Sequence, residues 1–191
     1  MFVKICGITN REDAFAAIRA GARALGFVFV ASSPRHVTPD RLEPWIHELP
    51  TDVWKVGVFA DEAPAAIERV GACLNLHVAQ LHGAETPALH PRGLRVWKAF
   101  RVIRDSGLSD YPPDYPAAEA ILIDGIEYDW TRTAHFTRPL ILAGGLNEDN
   151  VRARIEQARP WAVDVSSGIE SSPGRKDHVR MKKFIEAALR S

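Results

Sequence analysis

Short apolar runs alternate with amphipathic stretches along the whole 191-residue chain. Runs rich in Val, Ile, Leu, Phe and Ala at 2–6, 25–30, 54–59, 77–81, 96–100, 120–124, 139–143 and 162–166 read as β-strands. They recur at roughly 24-residue intervals, the period of a strand-turn-helix unit. Several are apolar almost without a break, as strands are when helices cover both faces of a parallel sheet. Eight such units predict an α/β fold, a single (β/α)8 TIM barrel domain over residues 1–191. The chain is shorter than the roughly 250 residues typical of that barrel, so parts of it must be trimmed.

The intervening stretches carry helix signals. Thr9 and Glu12 have capping-box spacing ahead of Ala14, Ala17 and Ile18, with Gly21 as a stop. Thr38-Pro39 reads as an N-cap with proline at the first helical position, leading into Leu42, Trp45, Ile46 and Leu49. Asp61 is placed to cap a helix carrying Ile67 and Val70, and Asn147 one carrying Val151 and Ile155. Met181, Phe184, Ile185, Ala188 and Leu189 form the inward stripe of the last helix. Two units look incomplete. Residues 101–119 contain Asp110-Tyr111-Pro112-Pro113-Asp114-Tyr115-Pro116, which no regular helix accommodates, and 125–137 lack a helical period. Helix five is therefore expected to be a loop, and the loop after strand six to be short.

Composition narrows the field. Hydrophobic residues make up 46% of the chain, enough for a substantial core without staples, and the formal net charge is +0. The basic residues do not cluster, which argues against nucleic-acid or membrane-surface partners. No apolar run reaches membrane-span length and the N-terminus lacks signal-peptide order, so a cytoplasmic location is expected. Cys6 and Cys73, the two cysteines, have neither disulfide-framework nor zinc-ligand spacing. Monomer and homodimer both fit these features.

In such a barrel the chemistry sits at the C-terminal strand ends. There the sequence puts Cys6, Gln80 and His82, Asp124, and Asp164 and Ser166, with Arg35 in the loop after strand two. Lys4 and Cys6 share a face of the first strand, and an ammonium beside a thiol favours the thiolate. Taken alone, Cys6 reads first as a buried structural residue. Gly144-Gly145 and Ser166-Ser167-Gly168, at consecutive strand ends, could bring backbone N–H groups around a phosphate. Each turn alone could simply reverse the chain. Asp124, carried to the rim by Ala120-Ile121-Leu122-Ile123, is expected to have a raised pKa suited to a general acid. A helix cap or solvated carboxylate is the plainer reading of it.

Three segments decide among these readings: Lys4-Ile5-Cys6-Gly7-Ile8-Thr9, Leu140-Ile141-Leu142-Ala143-Gly144-Gly145-Leu146 and Val163-Asp164-Val165-Ser166-Ser167-Gly168-Ile169-Glu170. Together, in this order, they resemble the phosphoribosylanthranilate isomerases, tryptophan-pathway enzymes that perform an Amadori rearrangement. The resemblance implies Cys6 as general base and Asp124 as general acid. It also implies a phosphate cup at Gly144, Gly145, Ser166, Ser167 and Gly168. Ser33-Pro34-Arg35 matches a family segment whose arginine contacts the anthranilate carboxylate. His82, in Gln80-Leu81-His82-Gly83, is implied at the substrate or as a structural rim histidine. Asp177, in Ser172-Pro173-Gly174-Arg175-Lys176-Asp177, is implied as an N-cap first and a substrate contact second. The reaction involves no redox change and no addition of water, so neither cofactor nor metal is expected. Asp124-Gly125-Ile126-Glu127-Tyr128-Asp129-Trp130 departs from the family by bringing two motifs together, which shortens the flap between them. A phosphate-binding barrel of weak activity and another phosphosugar isomerase are the alternatives.

Overall fold

The computed structural model describes residues 1–102, 115–125 and 137–190. Eight parallel strands close into a barrel in sequence order. They are β1 (Phe2–Cys6), β2 (Ala24–Val28), β3 (Trp54–Phe59), β4 (Val78–Leu81), β5 (Arg95–Arg101), β6 (Ala120–Asp124), β7 (Leu140–Ala143) and β8 (Ala162–Val165). Among the described residues five α-helices pack outside: α1 (Arg11–Ala20), α2 (Pro39–Ile46), α3 (Pro64–Leu74), α4 (Val151–Ala158) and α5 (His178–Leu189). A small antiparallel hairpin, β9 (Glu170–Ser172) and β10 (Arg175–Lys176), lies between β8 and α5. No helix among the described residues is long and apolar enough to cross a membrane.

Period-two alternation explains the two cores. Outward-facing residues such as Leu25, Phe27 and Leu81 join Ile67, Phe184 and Ile185 of the helices in the larger cluster. Inward-facing residues fill the barrel in layers. Phe2, Trp54, Trp97 and Trp161 close the N-terminal end, Phe2 stacking on Trp161 with centroids 4.8 Å apart. Ala24, Val56, Ala99, Leu122, Ile141 and Ala162 fill the space above them. The C-terminal end carries Cys6, Val28 and Val58 beside the polar groups of the site. Pairing of β1 with β8 puts Lys4 opposite Asp164, and pairing with β2 puts Cys6 opposite Gly26. A Cβ on Gly26 would lie 2.7 Å from the Cys6 sulfur and 3.0 Å from Lys4 Cε, so the missing side chain makes room for both.

The strands fall where the apolar runs predict, with small shifts at their ends; β2 begins at Ala24 and stops at Val28. Several caps differ. The N-cap of α1 is Asn10, whose side chain accepts from Asp13 N, while Thr9 Oγ1 donates to the Gly174 carbonyl at 2.6 Å. Asp61 does not cap α3, which starts at Pro64 after Ala63. Asp61 instead adopts φ 55° and accepts from Ala84 N at 2.6 Å. The helix after β7 starts after Asn150, and Asn147 Oδ1 accepts from Asp149 N and Asn150 N in the preceding turn. Thr38 takes the N-cap position of α2 but makes no side-chain cap bond. Gly21, at φ 110°, ends α1 as expected. Leu189 is exposed and leaves the α5 stripe to Met181, Phe184, Ile185 and Ala188. A trimmed unit also follows β4. Residues 82–94 hold one 3-10 turn, Pro87–Leu89, and no α-helix, because Gly83, Pro87, Pro91 and Gly93 break any helical run. The expected loss of helix five and the shortened loop after strand six fall on residues 103–114 and 126–136, outside the described residues.

Candidate active site

One cavity of about 810 Å³ opens at the C-terminal end of the strands. Cys6, Arg35, His82, Asp124, Gly144, Gly145, Ser166, Ser167 and Gly168 all line it. Gln80 and Asp164 do so as well. Asp177 is not among the lining residues. Its carboxylate is engaged as the cap of α5, accepting from Val179 N at 2.9 Å and Arg180 N at 3.0 Å.

The two glycine-bearing turns meet backbone to backbone. A Cβ on Gly168 would overlap the Leu146 carbonyl, and a Cβ on Gly144 would collide with Gly125 N and approach Asp124 Oδ1 at 2.8 Å. Gly144 and Gly145 take φ 88° and 58°, the left-handed region where glycine carries no Cβ penalty. Asn150 braces the turn, accepting from Asn147 N and donating to the Gly145 carbonyl. A rigid, side-chain-free rim of this kind is what an oxyanion needs to approach backbone donors.

Cys6 lies beside a buried charge pair. Lys4, fully buried, donates to Asp164 Oδ2 at 2.8 Å. Burial opposes the charge on Lys4, but Asp164 and the Cys6 sulfur outweigh it and hold the ammonium above its ordinary pKa. The Cys6 thiol goes the other way from the expectation. Burial pushes its pKa up; Lys4 and Lys176 pull it down, Asp164 adds to the rise, and the net effect is upward. The ammonium meant to favour a thiolate is shared with a carboxylate.

Asp124 also reverses its expected shift. The adjacent His82 holds its carboxyl below the usual range; burial opposes this, and Arg101 and Lys4 assist it. His82 Nε2 is 3.6 Å from Asp124 Oδ2, and His82 Nδ1 is 3.5 Å from Gln80 Nε2. The resting ionisation is therefore thiol and carboxylate. Among the described residues, three buried polar atoms of the cavity lining have no protein partner: Gln80 Oε1, Asp164 Oδ1 and Ser166 Oγ. Such atoms are satisfied by ligand or water.

Arg35 is held from behind. Its Nε donates to Glu170 Oε1 at 2.8 Å and its Nη2 to Glu170 Oε2 at 2.6 Å. Glu170 also accepts from Lys176 Nζ at 2.8 Å and from Gly174 N at 3.3 Å. Burial would raise the Glu170 pKa, but Arg35 and Lys176 outweigh it and hold the carboxyl low. Sequence reasoning placed Glu170 inside a motif without giving it a task. Its position eight residues before the α5 start offers no signal of the pairing with Arg35, 135 residues away.

A closed parallel barrel with a thiol, a carboxyl group and an anion-sized glycine rim around one C-terminal cavity is the architecture of a (β/α)8-barrel enzyme of phosphorylated substrates. The family model described as N-(5'-phosphoribosyl)anthranilate (PRA) isomerase matches residues 3–187, and the chain belongs to that family. N-(5'-phosphoribosyl)anthranilate isomerase of Solibacter usitatus is 43% identical over 198 residues, covering 98% of this chain and 97% of the relative. That of Geobacter sulfurreducens is 45% identical, covering 97% of each. Among solved structures, a phosphoribosyl anthranilate isomerase in complex with reduced 1-(o-carboxyphenylamino)-1-deoxyribulose 5-phosphate superposes with a TM-score of 0.90 at 42% identity, covering 100% of both chains. The Thermotoga maritima enzyme gives 0.88 at 39% identity, again over 100% of both chains.

Proposed function

We propose that this chain, acting as one barrel domain, converts N-(5'-phosphoribosyl)anthranilate to 1-(2-carboxyphenylamino)-1-deoxyribulose 5-phosphate in cytoplasmic tryptophan biosynthesis, with Cys6 as base and Asp124 as acid. Membership of the isomerase family supports the reaction. The observation that carries the residue roles is that Cys6, Asp124, Arg35 and both glycine-bearing turns line the same cavity.

The substrate has an anion at each end. Backbone N–H groups of the Gly144-Gly145 and Ser166–Gly168 turns hold the phosphate, and Arg35 holds the aromatic carboxylate. The sugar then lies between Cys6 and Asp124. Protonated Asp124 gives its proton to the furanose ring oxygen, and the C–O bond breaks as the amine nitrogen forms a cationic C=N. That cation makes the proton on the adjacent C2 acidic, and the Cys6 thiolate removes it. The C–H electron pair forms the enolamine, which tautomerises to the ketone. Each proton-transfer group contributes about two to four orders of magnitude.

These transfers leave a thiol and a carboxylate, the ionisation that burial and His82 favour at rest. The active form differs from it by moving one proton from Cys6 to Asp124. The test is turnover of freshly generated N-(5'-phosphoribosyl)anthranilate, followed by loss of anthranilate-type fluorescence. Conversion supports the proposal; binding without conversion would leave a phosphate-ligand barrel instead.

A further inference from the structure

We propose that Glu170 is a positioning residue that aims Arg35 at the substrate's aromatic carboxylate; this rests on the reading that Arg35 binds that group. A guanidinium carries five N–H bonds in a planar fork. Glu170 takes the side formed by Nε and Nη2, leaving the Nη1 edge and the second Nη2 proton. Arg35 lines the cavity, whereas Glu170 is buried behind it and is absent from the lining. The arginine can therefore hold a resident carboxylate side-on while it receives a second carboxylate end-on.

Three further contacts fix the direction. The Arg35 stem passes over Gly7, where a Cβ would lie 2.5 Å from Arg35 Cδ. Ser33 Oγ accepts from Arg35 N at 3.1 Å, setting the loop. Glu170 is itself pinned by Lys176 Nζ and Gly174 N, so it cannot follow the arginine outward. Lys176 also offsets the Glu170 carboxylate, so Arg35, Lys176 and Glu170 together remain net cationic. Glu170 thus adds order without cancelling the attraction for an anion. Preorganisation lowers the entropy lost on binding, and a fork held by only part of its contacts loses that gain.

The test compares Glu170→Gln, Glu170→Asp, Arg35→Ala and the Arg35→Ala/Glu170→Gln double variant for KM and kcat on N-(5'-phosphoribosyl)anthranilate and for inhibition by inorganic phosphate. Glu170→Gln should raise KM about tenfold, the scale of one charge-assisted contact, with kcat within about threefold and phosphate inhibition unchanged. Glu170→Asp, which keeps the charge but shortens the reach, should fall between wild type and Glu170→Gln. In the Arg35→Ala background Glu170→Gln should change KM by less than about twofold. If Arg35→Ala raises KM and Glu170→Gln leaves it unchanged or lowers it, the positioning role is overturned. Equal weakening of phosphate inhibition would also overturn it, by making Glu170 a support of the fold. If instead Arg35→Ala leaves KM unchanged, the underlying carboxylate reading fails. In the native chain the Arg35 Nε–H NMR signal should persist when the reduced product analogue binds; its loss would mean that the Glu170 contact breaks on binding, against the proposal.

Discussion

Lys4 Nζ sits 2.8 Å from the Asp164 carboxylate at the centre of the barrel, and the two act in opposite directions on the neighbouring Cys6 thiol, whose pKa burial raises. Because Asp164 adds to the rise in the thiol pKa, removing its charge frees Lys4 to act on the sulfur. Asp164→Asn, in a Cys73→Ser background that removes the exposed second thiol, should lower the Cys6 pKa. The expected result is iodoacetamide alkylation of Cys6 at pH 7.5 faster by about threefold to tenfold. An unchanged or slower rate would mean that Asp164 does not set the thiol. Lys4→Met should instead destabilise the fold by about 3–5 kcal/mol in urea unfolding, since it leaves a buried carboxylate unpaired.

The opposed shifts of Cys6 and Asp124 define a pH profile. Below the depressed Asp124 pKa both groups are protonated, and above the raised Cys6 pKa both are ionised; neither form has a base and an acid. Between these limits the fraction carrying thiolate and neutral carboxyl is small but constant. The expected kcat/KM is therefore flat from about pH 5 to pH 8, between the ordinary ranges of the two groups. A peak narrower than about two pH units would contradict this ionisation.

Gly168 has no room for a side chain, because its Cβ would overlap the Leu146 carbonyl. Gly168→Ala must push the two turns apart. The expected outcome is at least tenfold weaker inhibition by inorganic phosphate, equivalent to about 1.4 kcal/mol, at nearly unchanged kcat. Titration with phosphate checks it.

Lys98 is buried outside the barrel, where its Nζ donates to the carbonyls of Leu81 and Gly83 and to Glu85. These contacts brace the backbone on both sides of His82. Lys98→Met should cost about 3–5 kcal/mol, as expected for a broken buried pair. Burial would raise the Glu85 pKa, but Lys98 and backbone donors outweigh it and hold the carboxyl low. Glu85 therefore contributes stability that is present above its unfolded pKa and lost as pH falls through the lower folded value. In acid titration the wild type should lose stability below about pH 4. Lys98→Met should show a smaller Glu85-linked loss there, and an identical acid slope would rule out the pair as its source.

The barrel was legible because apolar runs recorded strands buried on both faces, from Phe2–Cys6 to Ala162–Val165. Cysteine, aspartate and paired glycines at strand ends were equally readable, since strand polarity alone sends them to one rim. Cap identity was less readable. Thr9 and Asn10 have similar local chemistry, and a bond from Thr9 to Gly174, 165 residues away, decided which of them caps α1. The missing helix after β4 was not apparent from the sequence: Pro87 opens only a single 3-10 turn before β5. The ionisation of the site was not legible. Lys4 predicts a thiolate when read along β1, yet burial raises the thiol pKa by more than Lys4 lowers it, and Asp164, facing Lys4 from β8, adds to the rise. Likewise Asp124 follows an apolar run, but the imidazole of His82, 3.6 Å away in the loop after β4, holds its pKa down.

The most direct test of the account is the single-turnover rate of N-(5'-phosphoribosyl)anthranilate conversion by Cys6→Ala and Asp124→Ala, each beside wild type. Phosphate inhibition serves to show that each variant retains a folded site. The account predicts that both variants bind phosphate normally and that each is slower by about two to four orders of magnitude. A rate within about tenfold of wild type in either variant, with phosphate binding intact, would remove that residue from the reaction and contradict the acid–base pair.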